Sequence, residues 1–250
     1  MLRLLLILIA GLVLSGGALA EQTLRLMANT SPPYSDEKLP ERGLALELVE
    51  HIFSRTDYKP EIAIDSWSRA LEGASIGVYD ALAAAWYSDE RNEAFLFSEP
   101  YLDSKLIILK ARSTPGRFTQ LKDLAGARLG VRTDYAYGID FSQIPELQLV
   151  EENHLIQNLL NLLNGKVHFV IGDRRTVVFQ LNEYLKDQIH KFEVLAIDLP
   201  GRPRHVAASR QATGHEDVIN AFNKALADVR KDGSYAAIIR KWDERYPGLK

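Results

Sequence analysis

The hydrophobic pattern switches between two periods along most of the chain. Thr23 to Met27 alternates polar and apolar positions and predicts a short strand. Leu44 to Phe53 carries apolar residues at helical spacing, and Glu61 to Ile64 reads as strand again. Asp65-Ser66 offers a capping side chain for a helix opening near Trp67. Ala81 to Ala85 and Lys105 to Leu109 are the apolar runs of buried strands, and Ser113-Thr114-Pro115-Gly116 then breaks the pattern. A second series follows: strand over Ala127 to Val131, helix over Asn153 to Leu163, strand over Val167 to Ile171, helix over Asp173 to Tyr184 and strand over Phe192 to Ile197. Pro200-Gly201-Arg202-Pro203 is a second break, after which His205 to Ser209 reads as a strand returning to the first series. Helices over Glu216 to Arg230 and Tyr235 to Arg245 close the chain. Strands alternating with helices predict an α/β fold.

The two series echo each other. Gly77 to Ala85 can be laid over Gly165 to Asp173, and in both a glycine is followed by a short apolar strand and then by polar chemistry. In open α/β sheets ligands sit outside the carboxyl ends of strands. Residues from Trp86 to Arg91 and Asp173 are therefore placed to face one cleft.

The N-terminus adds a compartment. Arg3, an apolar run from Leu4 to Val13 and the small residues Ala18-Leu19-Ala20 have the layout of a secretory signal peptide cleaved after Ala20. A spanning helix needs about 20 apolar residues, and Gly16-Gly17 interrupts this run. The expected product is a soluble periplasmic protein of residues 21–250. Composition leaves that reading unchanged: 46% hydrophobic, 25% charged, 30 basic against 33 acidic residues. Nothing in the balance points to nucleic acid. The chain has no cysteine, which removes disulfide and thiol chemistry, and its six histidines are scattered. Neither a metal site, a hydrolase triad nor any cofactor is expected.

Phe97-Ser98-Glu99-Pro100-Tyr101, preceded by Ser88-Asp89-Glu90-Arg91, resembles the T-x-x-R…F-S-x-P-Y signature of the family 3 solute-binding proteins. Supporting pieces run along the chain: Pro32-Pro33-Tyr34, Gly43 to Leu48, Leu121 to Gly126, Asp232 to Tyr235 and Lys241-Trp242. The resemblance implies a type II periplasmic-binding-protein fold, with two α/β lobes joined by two crossover strands and a ligand cleft between them. Lobe 1 is expected over 21–109 plus 203–250 and lobe 2 over 110–202, with crossings near Ile107 to Arg112 and Leu199 to Val206. It further implies capture of a small ligand, an amino acid or related zwitterion, by hinge closure. Delivery to an ABC permease is the leading expectation, with a membrane receptor or kinase as the alternative partner, and a monomer is expected.

The resemblance also assigns roles. Arg91 stands where the family grips the ligand's α-carboxylate, a task suited to a guanidinium fork; read from the residues alone it could equally pair with Asp89, Glu90 or Glu93. Asp173 matches the aspartate that accepts from the α-ammonium, and it could also cap the following helix. Trp67 and Tyr34 stand where relatives place aromatic rings, with core packing as the other reading. Asp134 and Tyr135 follow a strand at a position that touches the carboxylate in relatives. Ala83, Ala84 and Ala85, then Trp86 and Tyr87, replace the usual small hydroxyls, so backbone groups near Ala84 must serve instead and Trp86 offers a stacking face. Ala136 and His168 are further departures. This altered shell favours a larger or aromatic ligand. Trp67-Ser68-Arg69-Ala70 is similar to a W-x-R-A element of one family branch, and Arg69 reads as a solvated helix position. Some relatives on this fold are cyclohexadienyl dehydratases; such chemistry would fall to Asp173, with Asp134 or Glu99 behind it, and an enzyme is not expected.

Overall fold

The computed structural model describes residues 22–246, so the expected leader over residues 1–20 lies outside the described residues. The chain runs β1 (Gln22–Asn29), α1 (Leu44–Phe53), β2 (Tyr58–Asp65), α2 (Trp67–Ser75), β3 (Ala81–Trp86), α3 (Asp89–Ala94) and β4 (Phe95–Phe97). It continues through β5 (Leu106–Ala111), β6 (Arg128–Arg132), β7 (Gln148–Glu152), α4 (Leu155–Leu163), β8 (Phe169–Asp173), α5 (Arg174–Tyr184) and β9 (Phe192–Val194). β10 (Arg204–Ser209), α6 (His215–Lys231) and α7 (Ser234–Arg245) complete it.

Two sheets form, ordered β2-β1-β3-β10-β4 and β7-β6-β8-β5-β9. They share one plan. β3 is parallel to β1 and antiparallel to β10, as β8 is parallel to β6 and antiparallel to β5. The echo between residues 77–85 and 165–173 thus pairs equivalent strands, and Gly77 and Gly165 both take left-handed backbone, at φ 79° and 71°. α3, β4 and β7 escape the sequence pattern. β7 is a largely exposed edge strand, so it carries little apolar periodicity.

β5 corrects the expected lobe boundary. It pairs with β8 from Leu106 onward and so belongs to the second sheet, whereas the sequence reading carried the first lobe through residue 109. An apolar run shows that a strand is buried and not which sheet buries it. The crossings lie just before β5 and just before β10, tied by isolated bridges between Leu102 and Arg204 and between Lys105 and Gly201.

Each lobe has its own core. Leu26, Leu46, Ile52, Phe53 and Phe222 pack the first, where α1 and α6 cover the sheet. In the second, Phe169 and Ile171 face one layer and Val170 the other, the two-residue period of a strand buried on both sides. Three helix starts are fixed by side-chain caps that also aim residues at the space between the lobes. Ser66 caps α2, Ser88 caps α3 and Asp173 caps α5.

Candidate ligand cleft

The cleft is built on the carboxyl ends of β3 and β8. β3 is buried throughout and delivers Ala84 and Trp86 to the floor. The Ser88 cap turns the chain into α3, which folds Arg91 back under the lobe until only 8% of it is exposed. Its Nη1 donates to the Trp86 carbonyl at 2.7 Å and its Nη2 crosses the cleft to the Asp134 carbonyl at 2.6 Å. The guanidinium lies over the Trp67 ring, 4.6 Å from the centroid. Burial pulls its pKa down to about 10, which leaves it charged at neutral pH. Asp89, Glu90 and Glu93 form no ion pair with it.

From the second lobe, β6 ends in a turn whose Asp134 adopts φ 58°. That left-handed residue points its carbonyl at the first lobe, where it also accepts from Trp67 Nε1 at 3.0 Å, while its carboxylate takes a hydrogen bond from Ser68 at 2.9 Å. Tyr135 follows and fills the centre, edge-on to Trp67 at 6.0 Å and to Trp86 at 5.3 Å. Its hydroxyl accepts from Asn29 Nδ2 at 2.6 Å and from Arg132 Nη1.

Asp173 performs the capping role, accepting from the Thr176 N–H at 3.0 Å. It also accepts across the lobes from the Tyr34 hydroxyl, 2.9 and 3.1 Å from its two oxygens. Burial, and after it the Asp173 charge, raise the Tyr34 hydroxyl far above its usual range, so it stays a donor. Arg69 is exposed on α2 and pairs with Asp65 at 3.2 Å. Glu99 is exposed and lines none of the cavities described below.

An outer groove of about 810 Å³ runs between α2, α3 and residues 134–141. Behind it lie two cavities of about 10 Å³ each, room for roughly one water molecule. One is bounded by Asn29, Trp67, Ala84, Arg91 and Ala136, the other by Ser31, Arg132, Asp173 and Thr176. Trp86, Tyr135 and Arg204 wall both. Seven of the eight residues singled out from the sequence line these cavities; Tyr34 is fully buried in the first-lobe core and reaches them only through its hydrogen bonds to Asp173. Arg132 and Arg204 were missed: one ends a strand and the other follows a Pro-Gly-Arg-Pro break. The signal was Arg132's place at the carboxyl end of a buried strand.

The sequence profile of the bacterial extracellular solute-binding proteins, family 3, matches residues 25–244. The chain belongs to that family. Among curated solute-binding relatives, the L-cystine-binding protein TcyJ of Escherichia coli is 25% identical over 86% of this chain and 80% of its own length. ABC transporter arginine-binding protein 1 of the same organism is 22% identical over 91% and 93%. The fold matches an ancestral arginine-binding protein bound to arginine, with a TM-score of 0.76, 21% identity and coverage of 92% of this chain and 100% of that one. It also matches a histidine kinase sensor domain similar to periplasmic binding proteins, with a TM-score of 0.75, 21% identity and coverage of 89% and 96%. This solute-binding protein therefore has the type II periplasmic-binding fold. Among the described residues no group of His, Asp and Glu side chains could hold a metal, and no helix is long and apolar enough to cross a membrane.

Proposed function

We propose that this solute-binding protein captures an amino acid or related zwitterion between its lobes in the periplasm and delivers it to an ABC permease. The observation that carries the reading is the placement of buried Arg91 and buried Asp173 on opposite lobes, in adjoining cavities that share the Trp86, Tyr135 and Arg204 walls. A carboxylate would replace the Asp134 carbonyl on Arg91, and an ammonium would complete the shell of Asp173. Neither inner cavity admits an amino acid, so entry requires the lobes to part about the Leu102–Arg204 and Lys105–Gly201 bridges, a hinge motion of known type. The names of the cystine- and arginine-binding relatives support the ligand class. The likeness to a kinase sensor domain favours one second reading, in which the closed form is presented to a membrane receptor.

The test is a thermal-shift screen of the protein, unfolded and refolded to strip ligand, against amino acids, polyamines and small carboxylates. Ligand at about 100 times Kd adds roughly 2.7 kcal/mol, on the order of 5 to 10 °C at this size. A shift confined to amino acids and lost in Arg91→Ala supports the reading. A shift with polyamines alone overturns it.

A further inference from the structure

The cleft holds more positive charge than the zwitterion reading uses. Arg91, Arg132 and Arg204 are 8%, 6% and 3% exposed, and Asp173, at 5%, is the one buried carboxylate beside them. Among the described residues no ion pair joins any of the three guanidiniums to a carboxylate. Their partners are neutral. Arg91 meets the Trp86 and Asp134 carbonyls. Arg132 meets the Asn153 carbonyl at 2.9 Å, the Thr30 carbonyl at 3.4 Å, Ser31 Oγ at 3.5 Å and the Tyr135 hydroxyl. Arg204 lies 3.6 Å over the Tyr34 ring and 5.5 Å from the Trp86 ring, and its buried Nε has no hydrogen-bond partner.

Three buried cations against one buried anion are expensive unless further negative charge joins them. The described residues supply none at that depth. The Asp134 carboxylate is exposed at the rim and bonded to Ser68, and Asp89, Glu90 and Asp140 line the solvated outer groove. Arg202, also at the mouth, adds a further cation facing the Tyr87 carbonyl. Arg175, in the first turn of α5, pairs with Asp243 at 3.9 Å.

Taking the proposed receptor role as its basis, we infer that the cleft selects ligands with two anionic groups, such as an amino acid with an acidic side chain. Arg91 holds one carboxylate, and Arg204 with Arg132 holds the second across the wall shared by the two inner cavities. Asp173 remains for the ammonium. The preference is opposite in sign to that of an arginine receptor.

The test is a calorimetric titration of the stripped protein with L-glutamate and L-aspartate, their neutral isosteres L-glutamine and L-asparagine, L-arginine, and succinate. The expected result is binding of an acidic amino acid at least about tenfold tighter than its amide and than arginine. Arg132→Gln should remove most of that discrimination by weakening the acid and sparing the amide; Arg204→Gln should do the same if it folds. Tight succinate binding without amino-acid binding would uphold the two-anion inference and overturn the zwitterion reading. Arginine or glutamine binding as tightly as glutamate would overturn the inference and leave the receptor reading standing. Saturation by none of the acidic ligands would also overturn it.

Discussion

Arg91 of the first lobe donates across the cleft to the backbone carbonyl of Asp134 in the second, 2.6 Å away. The carbonyl can be there because Asp134 adopts φ 58°, a conformation that costs most side chains about 1–2 kcal/mol and glycine almost nothing. Asp134→Gly and Asp134→Val both remove the carboxylate, so comparing them isolates the backbone. Urea unfolding should show the valine variant less stable than the glycine variant by about 1–2 kcal/mol. Equal stabilities would mean that the turn relaxes without loss and does not hold the latch.

Tyr135 makes the cleft optically readable. Trp67 and Trp86 lie within 6.0 Å of its ring, whereas Trp242 stacks on Tyr246 and donates to Glu47 in the first lobe. Tyr135→Ala should expose the two cleft indoles and leave the third unchanged. Acrylamide quenching should rise for about two thirds of the tryptophan emission, and saturating ligand should lower it again. Unchanged quenching would show that Tyr135 does not shield the cleft.

The alternating pattern was enough to place most strands and helices, because each lobe buries its sheet on both faces and the apolar runs are continuous. Ser66 and Asp65 marked the start of α2 for the same local reason that makes Ser66 a cap. The echo of the two series placed Arg91 and Asp173 toward one cleft, but their roles were legible only through a family signature. Arg132 was hidden because its burial depends on the approach of the opposite lobe, and Arg204 because a residue of its own lobe far away in sequence covers it. Arg132 is covered by Thr30 and Ser31, about 100 positions earlier, and Arg204 by Tyr34, 170 positions away in sequence. No local pattern encodes such a contact. Trp86, expected to offer a stacking face, belongs to core and cleft at once: it is buried, yet walls the two inner cavities.

Asp173 caps α5 and, in the proposed function, also receives the ligand's ammonium, and substitution can separate the two. Asparagine caps a helix about as well as aspartate, but it lacks the charge that an ammonium seeks. Asp173→Asn should therefore keep the α5 cap while weakening amino-acid binding at least about tenfold. Asp173→Ala should lose both, with a further roughly 1 kcal/mol of stability gone. Urea melts and calorimetry on the pair decide the matter. Undiminished binding by the asparagine variant would confine Asp173 to the cap.

Mild acid should loosen the protein before its carboxylates titrate. Burial holds partly buried His205 and His168 below the usual histidine range; the charge of Arg128 acts in the same direction on His168. The His168 Nδ1 accepts from the Arg128 N–H at 3.0 Å, a bond that a protonated ring cannot accept there. The unfolded chain takes up these protons first, near pH 6.5, so their contribution is complete above that pH and is lost as pH falls toward the lower folded values. The hydrogen-bonded carboxylates act lower down. The Thr119 N–H holds Asp123, and Ser234 holds Asp232, below the ordinary carboxylate range, so their stabilisation fades only below about pH 4. Urea melts should therefore show stability falling as pH drops below about 6.5, with the slope reduced in a His168→Gln, His205→Gln variant. An unchanged slope in that variant would assign the acid sensitivity to other groups.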